Sequence, residues 1–464
     1  MAETSGGFIS RFFLLRERGT NFRVEILGGA TTFITMAYII VVNPAILQFA
    51  GIPVGPSTVA TILTAVFGSF LMGVLANRPI AVAPYMGENA FIAFGLAVMG
   101  IGWQQRLGTV FISGLIFLLI TVLRVRSWLA NSISPSMKHS FAVGIGLFLA
   151  FIGLYETGIV TSSVAGMEPQ SLLRAGATAL SAPDVPIKIG DLRSPQVLLA
   201  IFCFFFIAVL LYWRVRGGIL LGIAATAFLG YLLGLGEAPR AVVALPFAGE
   251  FSLGAIALKL DIPGMLKLSM LPILLTLFLM GFLDTLGTLV GVGAAANMID
   301  DKGDFPQIER PMMVDAAACM FSAAVGTSTS GAYIESATGI REGARTGLAA
   351  ITTAVLFLAS LFFIPLIQPL QHLRYAYGPA LIAVGVLMMG SIKKIDFDDL
   401  TEVVPAFVTI VMMIFTYNIA NGLTAGLVLY PIFKILAGKW KGLNAGSVVL
   451  GLLCLVYYVF GLPH

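Results

Sequence analysis

The sequence predicts an all-α polytopic membrane protein built as a fourteen-span, seven-plus-seven inverted repeat. Three observations predict it. The 464 residues are 58% hydrophobic and only 11% charged, with a mean hydropathy of +0.97, whereas soluble domains carry about 25% charged residues. Apolar runs of about 17–25 residues, long enough to cross a bilayer as helices, recur along nearly the whole chain. Two segments interrupted by Pro or Gly, 80–94 and 325–339, occupy corresponding places in the two halves, the pattern that marks the midplane site of a transporter.

In chain order, residues 1–23 contain Arg11, Arg16, Arg18 and Arg23 and read as a cytoplasmic segment, not a cleaved leader. Spans follow near 24–46, 57–76, 80–99, 105–123, 138–154, 195–213 and 217–235 in the first half. The second half supplies 268–296, 311–324, 326–340, 346–368, 376–392, 401–417 and 420–437. Two polar stretches, Tyr155–Ser194 and Gly236–Lys267, read as external loops. With the N-terminus inside, only eight of the 27 Lys and Arg fall outside, six of them in these two loops, so the charge bias supports this orientation in a cell membrane. Ala-Val-Gly-Ile-Gly within Ser136–Gly146 and Ala-Val-Gly-Val within Gly378–Gly390 each open a late triplet of spans. Seven spans precede the second half, so the halves are inverted. The run 444–462 is left over and either crosses the membrane or lies along it.

The most informative stretch is Met280–Val292. Asp284 sits near the middle of its apolar run, where an ionisable group costs about 2.5–3.5 kcal/mol even on the gentler insertion scale. It must face protein or a wet cavity. On a helix Asp284, Gly287, Thr288 and Gly291 share one face. That face either packs closely or admits a flat ligand. In the first broken segment Pro79 and Pro84 forbid a continuous helix, so an extended piece and then a half-helix from near Gly87 are expected. In the second, Gly-Thr-Ser-Thr-Ser-Gly at 326–331 predicts the same, with a half-helix near Ile334.

Glu88 and Asn89 lie at the first break and Glu335 at the second. With Asp284 they supply three acids and an amide, the mixture a neutral heteroaromatic ligand needs, because carboxylates accept ring N–H protons and Asn both donates and accepts. Each has a structural alternative. Glu88 either joins the site or caps its half-helix. Thr288 either faces ligand or bonds back to its own helix. Tyr333 is either a packing aromatic or a stacking wall. Asp315 reads as structural or coupling rather than as a direct contact. Thr31, Thr32 and Thr35 either line the cavity or hold helices together. Asn418 and Asn421 read as helix caps. The runs Asp396, Asp398, Asp399, Glu402 and Asp300, Asp301, Lys302, Asp304 read as solvated loops with helix starts.

Several classes are disfavoured. The net charge of +4 is spread over many loops and reflects topology rather than nucleic-acid binding. Cys203, Cys319 and Cys454 are dispersed in apolar runs and predict no disulfide framework. His139, His372 and His464 have no metal-ligand spacing. An intramembrane hydrolase lacks a nucleophile elbow and a His-Glu-x-x-His. For an aspartyl protease only Asp284 and Asp315 would serve. An anion carrier would need a fixed cation at the breaks, and beyond Arg78 neither break has one. No enzyme activity and no cofactor are predicted.

Three stretches together resemble the nucleobase/ascorbate transporter superfamily, in its azaguanine-type branch of adenine, guanine and hypoxanthine permeases. They are Gly-Phe-Leu-Asp-Thr-Leu-Gly-Thr at 281–288, Ala-Pro-Tyr-Met-Gly-Glu-Asn-Ala-Phe at 83–91, and Gly-Thr-Ser-Thr with Tyr-Ile-Glu-Ser-Ala-Thr-Gly within 326–339. The similarity runs from about residue 8 to the last span. It implies a proton symporter for purine nucleobases working by alternating access, with a homodimer through the gate bundle. Core spans would occupy 24–124 and 268–368 and gate spans 125–235 and 369–437. Around them lie the segment 1–23, the external loop 236–267 and a C-terminal apolar segment, 438–464. By motif, Asp284 and Glu335 are the site acids and proton carriers, Asn89 with the adjoining Ala90 is the third-span contact, and Thr288 is the residue one turn after the span-eight acid. Glu88 departs from the commoner Gly-Met-Gly-Leu-Asn-Ala pattern and leaves the choice of purine and the coupling open.

Overall fold

The computed structural model describes residues 8–123, 128, 132–165, 186–239, 241–267, 270–295, 298, 305 and 307–460. The middle of the loop 155–194, the run Asp300–Asp304 and His464 lie outside the described residues. Among those described, nine helices are long and apolar enough to cross a membrane. They are Phe22–Ala50, Val54–Ala76, Trp103–Val122, Pro135–Glu156, Pro195–Tyr212, Ile273–Gly293, Gly347–His372, Arg374–Lys394 and Ile419–Leu436. Gly218–Leu232 and Leu400–Phe415 are shorter apolar helices. Glu309–Val325 and a last helix, Ala445–Phe460, complete the set.

Among the described residues there are four short strands: β1 (Val82–Pro84), β2 (Val160–Ser162), β3 (Ile187–Ile189) and β4 (Ser330–Ala332). β2 and β3 form a hairpin at the base of the first loop. β1 and β4 are the two predicted breaks, and they pair antiparallel with each other, Val82 opposite Ala332 and Pro84 opposite Ser330. Backbone groups at membrane depth must be bonded within the protein, and here each break satisfies the other. Their outer edges are closed by side chains. Ser69 bonds both the N–H and the C=O of Val82, and Asp315 accepts from the Ala332 N–H at 2.9 Å.

The chain sorts into two packed groups of helices. Phe22–Met36, Val54–Leu71, Trp103–Val122, Leu271–Ala295, Glu309–Val325 and Gly347–Ser360 contact one another, as do Pro135–Glu156, Pro195–Tyr212, Gly218–Leu232, Arg374–Met388, Leu400–Phe415 and Ile419–Leu436. The repeated glycine motifs lie where Pro135–Glu156 meets Arg374–Met388. A Cβ on Gly385 would stand 2.4 Å from the Gly146 carbonyl oxygen, and one on Gly153 would stand 2.7 Å from that of Gly378. Small residues let membrane helices approach to backbone contact. Gly385→Leu is therefore expected to lower stability by about 1–3 kcal/mol through overpacking, read as a fall in the Tm of purified protein. Gly390→Ala, with nothing within 4 Å of its would-be Cβ, should leave Tm unchanged.

One feature differs from the sequence reading. The first span is split into Phe22–Met36 and Ile39–Leu47. Pro44 cannot donate to the carbonyl four residues back, and that carbonyl, Ile40 O, instead accepts from Gln371 Nε2 at 2.8 Å. The loop 236–267 is pinned to the helix ends. Ile256 and Met265 are fully buried, and backbone bonds tie Leu258 to Ala324 and Asp261 to Gln104.

Candidate substrate site

The paired strands β1 and β4 launch two short helices. Met86–Ala90, with Tyr85 as N-cap, runs on through a widened turn at Phe91–Gly95 to Val98. Ser336–Arg341 has Glu335 as N-cap. The starts refine the expected positions by one or two residues. At the far end of each half-helix an arginine covers free carbonyls. Arg106, 6% exposed, donates to Ile92 O, Ala93 O and Ile101 O, and Arg345 donates to Ile340 O and Ala344 O. A cation at a helix C-terminus complements its dipole, and the N-terminal ends are left beside the strand crossing.

The proposed site residues fall into two layers. Asp284 and Glu335 are half-buried and close enough for their charges to interact. Gly287 and Gly291, on the Asp284 face, are exposed with nothing within 4 Å of a would-be Cβ, so this stripe opens onto space rather than packing against a neighbouring helix. Thr288 is buried beside it, 7% exposed. Tyr38, at the break in the first span, donates its hydroxyl to Glu335 Oε1 at 2.8 Å. Ile334, 62% exposed, adjoins Glu335.

Behind these lies a sealed layer. Glu88 is 2% exposed and Asn89 and Ala90 are fully buried. Asn89 Nδ2 donates to Asn43 Oδ1 at 2.8 Å. Asn43 in turn bonds Thr61, Thr327 and Ser328, so one amide joins the first two spans to both breaks. The capping alternative for Glu88 is corrected: the half-helix N-terminus has no side-chain cap, and neither Glu88 carboxylate oxygen has a hydrogen-bond partner among the described residues. The Thr329 hydroxyl is beside it but outside hydrogen-bond geometry. A Cβ on Gly281 would stand 3.6 Å from both Glu88 oxygens.

Tyr333 is a packing aromatic. It is 5% exposed and its hydroxyl donates to the Pro84 carbonyl. Its ring lies parallel to that of Tyr85 at 6.5 Å, and Tyr85 OH shares a hydrogen bond with Thr285 Oγ1 at 2.8 Å. Asp315 is fully buried against β4, with Oδ2 accepting from the Ala332 N–H. Thr35 bonds Thr31 O and meets Thr338 Oγ1, helix glue rather than cavity lining. Asn418 caps Ile419–Leu436 through the Ala420 N–H, whereas Asn421 lies inside that helix. The run ending in Asp399 and Glu402 does start a helix but is not merely solvated, because Lys434 Nζ lies 2.9 Å from Glu402 and 3.4 Å from Asp399. Hydrogen bonds from Lys439 and Thr401 hold the Asp399 carboxyl well below the usual carboxylate range.

Sequence reasoning missed Tyr38, Tyr85 and Asn43. A Tyr hydroxyl or an Asn at membrane depth needs a buried partner, and that is the signal that would have found them. An aromatic cluster forms around Phe94 of the first half-helix. Tyr417 meets Phe94 at 5.8 Å, Phe148 at 5.4 Å and Phe151 at 5.9 Å. Beside them Arg374 lies over the Phe49 ring at 5.4 Å and 3.4 Å from Glu156.

Residues 23–424 match the Permease family. The chain belongs to this family. It is thus a multi-pass transporter rather than an enzyme. A putative permease of Methanocaldococcus jannaschii is 41% identical over 98% of both chains. The adenine permease AdeP of Escherichia coli is 38% identical over 99% of this chain and 98% of its own. The guanine/hypoxanthine permease PbuG of Bacillus subtilis is 37% identical, covering 97% and 99%. In fold, the permease is similar to the transmembrane domain of the cyanobacterial bicarbonate transporter BicA, with a TM-score of 0.62 at 16% identity over 88% of this chain and 97% of that one. The murine Slc26a9 anion transporter gives 0.61 at 11% identity over 95% and 73%. These similarities carry the inverted-repeat fold alone.

Proposed function

We propose that this permease imports purine nucleobases together with protons. The observation that carries the reading is the pair Asp284 and Glu335 beside the open glycine stripe. Two carboxylates accept ring and exocyclic N–H groups of a purine, and the bare backbone leaves room for a flat ring. The relatives named for adenine and for guanine/hypoxanthine transport support the same substrate class. An anion carrier is disfavoured because acids, not Lys or Arg, adjoin the half-helix starts.

In this reading Thr288 borders the ligand, while Asn89 and Ala90 hold the floor beneath it and Glu88 lies buried behind them. Glu335 or Asp284 takes up the coupled proton. The helices containing the strand crossing form the moving core, and those containing Pro135–Glu156 and Arg374–Met388 form the gate and a dimer surface. The test is uptake of radiolabelled hypoxanthine, guanine, adenine and uracil into proteoliposomes with and without an inward proton gradient. Gradient-driven accumulation of a purine, not of uracil, is expected. Purine uptake indifferent to the gradient would remove the coupling, and no purine uptake by folded protein would remove the substrate class.

A further inference from the structure

Glu88 stands apart from the other acids at membrane depth. Asp284 and Glu335 meet the open stripe, and Asp315 holds the Ala332 N–H. Glu88 is 2% exposed, and neither of its carboxylate oxygens has a hydrogen-bond partner among the described residues. Among those residues no Lys or Arg forms an ion pair with it either. The ionisable groups that face it are Asp284 of Leu271–Ala295, Asp315 and Cys319 of Glu309–Val325, and Tyr85 of its own segment. Two further helices pack on this half-helix. Ile39–Leu47 brings Asn43 and Pro135–Glu156 brings Ile145, and neither side chain ionises. Arg106 lies at the far end of the half-helix, committed to three carbonyls. Two glycines complete the seal. A Cβ on Gly281, one turn before Asp284, would stand 3.6 Å from both Glu88 oxygens, and one on Gly87 would stand 2.4 Å from Ile145 Cγ2. Ile145 is the isoleucine of the repeated Ala-Val-Gly-Ile-Gly motif. It belongs to the second packed group of helices, so the cover over Gly87 comes from outside the group that holds the strand crossing.

We propose that Glu88 sits in this layer as a neutral carboxylic acid, and that its proton is exchanged with water when the two groups of helices part at Gly87 and Ile145. A carboxylate buried with neither donor nor counter-ion is strongly unfavourable, and the neutral acid avoids that cost. A proton on Glu88 also spares Asp284 a like charge one turn away across Gly281, so Asp284 stays free to accept a purine N–H. Once Ile145 slides off Gly87, water reaches the carboxyl. The O–H proton passes to that water, and the carboxylate left behind is hydrated. Closing the seal again requires one proton to be taken back. The neutral state rests on burial and contacts alone. The exchange rests on the proton coupling proposed above, to which it adds a second proton-carrying acid.

The test pairs infrared difference spectroscopy with proton counting, both on the full chain in liposomes. The C=O stretch of a protonated carboxyl lies apart from those of carboxylates and amides. At neutral pH, wild type minus Glu88→Gln is expected to show one such band, shifted by heavy water. Glu88→Leu, which restores the commoner Gly-Met-Gly-Leu-Asn-Ala pattern, should lose the same band and serves if the glutamine variant fails to fold. The band should persist in Glu335→Gln, which separates it from the site acids. The protons moved per purine taken up, read from a pH-sensitive dye beside the radiolabel, should fall by one in either Glu88 variant. A band absent from the wild-type difference, or one that survives Glu88→Leu, would overturn the neutral acid. An unchanged proton count, with uptake by wild type still proton-coupled, would overturn the exchange alone. Wild-type uptake without proton movement would remove the coupling itself and the exchange with it, while the band would still decide the state of Glu88.

Discussion

Glu335→Gln is expected to leave the protein folded and to cut gradient-driven purine uptake by about 10- to 100-fold, the cost of removing one charged hydrogen-bond partner of a ligand. The fold should survive because Glu335 is half-buried and the bond it accepts from Tyr38 OH can be made to a glutamine oxygen. What the amide cannot do is accept at both of its head-group atoms or carry a proton between the two sides. Tyr38→Phe then separates positioning from contact. It leaves the carboxylate in place but unanchored, and a rise in KM with little change in kcat is expected. Asp284→Asn should resemble Glu335→Gln, since both acids face the same opening. The measurement is proteoliposome uptake beside the Tm of each variant. Full uptake by Glu335→Gln would place substrate elsewhere, and loss of uptake with loss of Tm would make the pair structural.

The breaks were legible in the sequence because proline and glycine act locally. Pro79, Pro84 and the Gly-Thr-Ser-Thr-Ser-Gly run exclude helix whatever surrounds them. The carboxylates at membrane depth were legible because their cost is large wherever they sit. What the sequence left open was which polar group faces which. Glu88 and Asn89 are neighbours at one break, yet both lie in the sealed layer, while Glu335 opens onto the exposed stripe. That sorting is set by the antiparallel register of β1 against β4, a pairing between residues some 250 apart that no local pattern reports. The turn at Ala37–Tyr38 was also hidden, since no proline or glycine marks it. Pro44 lies inside the helix that follows, and the carbonyl it leaves free is satisfied by Gln371 from the other half of the chain. The loop 236–267 was legible as a loop, but its polar composition concealed the buried anchors Ile256 and Met265.

Asn43→Leu is expected to damage the protein more than any loss of a site acid, and by a different route. Asn43 is fully buried and uses its whole hydrogen-bonding capacity. Its Nδ2 donates to Thr61 Oγ1 at 2.7 Å and Thr327 Oγ1 at 2.9 Å, and its Oδ1 accepts from Asn89 Nδ2 at 2.8 Å and Ser328 Oγ at 3.1 Å. Leucine matches it roughly in volume but bonds none of them. Thr61 retains its bond to Ser57 O, whereas Asn89 loses its one oxygen acceptor among the described residues. Each buried group left unpaired costs about 1–3 kcal/mol, and a multi-span protein of ordinary stability has only about 5–15 kcal/mol in total. A large drop in Tm and in membrane abundance is therefore expected, with uptake per folded molecule falling as the two breaks lose their common tie. Thr35→Val, which removes a hydroxyl from a partly exposed helix contact, should shift Tm far less. A wild-type Tm for Asn43→Leu would mean that β1–β4 pairing alone holds the breaks together. A low Tm with unchanged uptake in the surviving molecules would mean that the sealed layer supports the fold without tuning the acids in front of it.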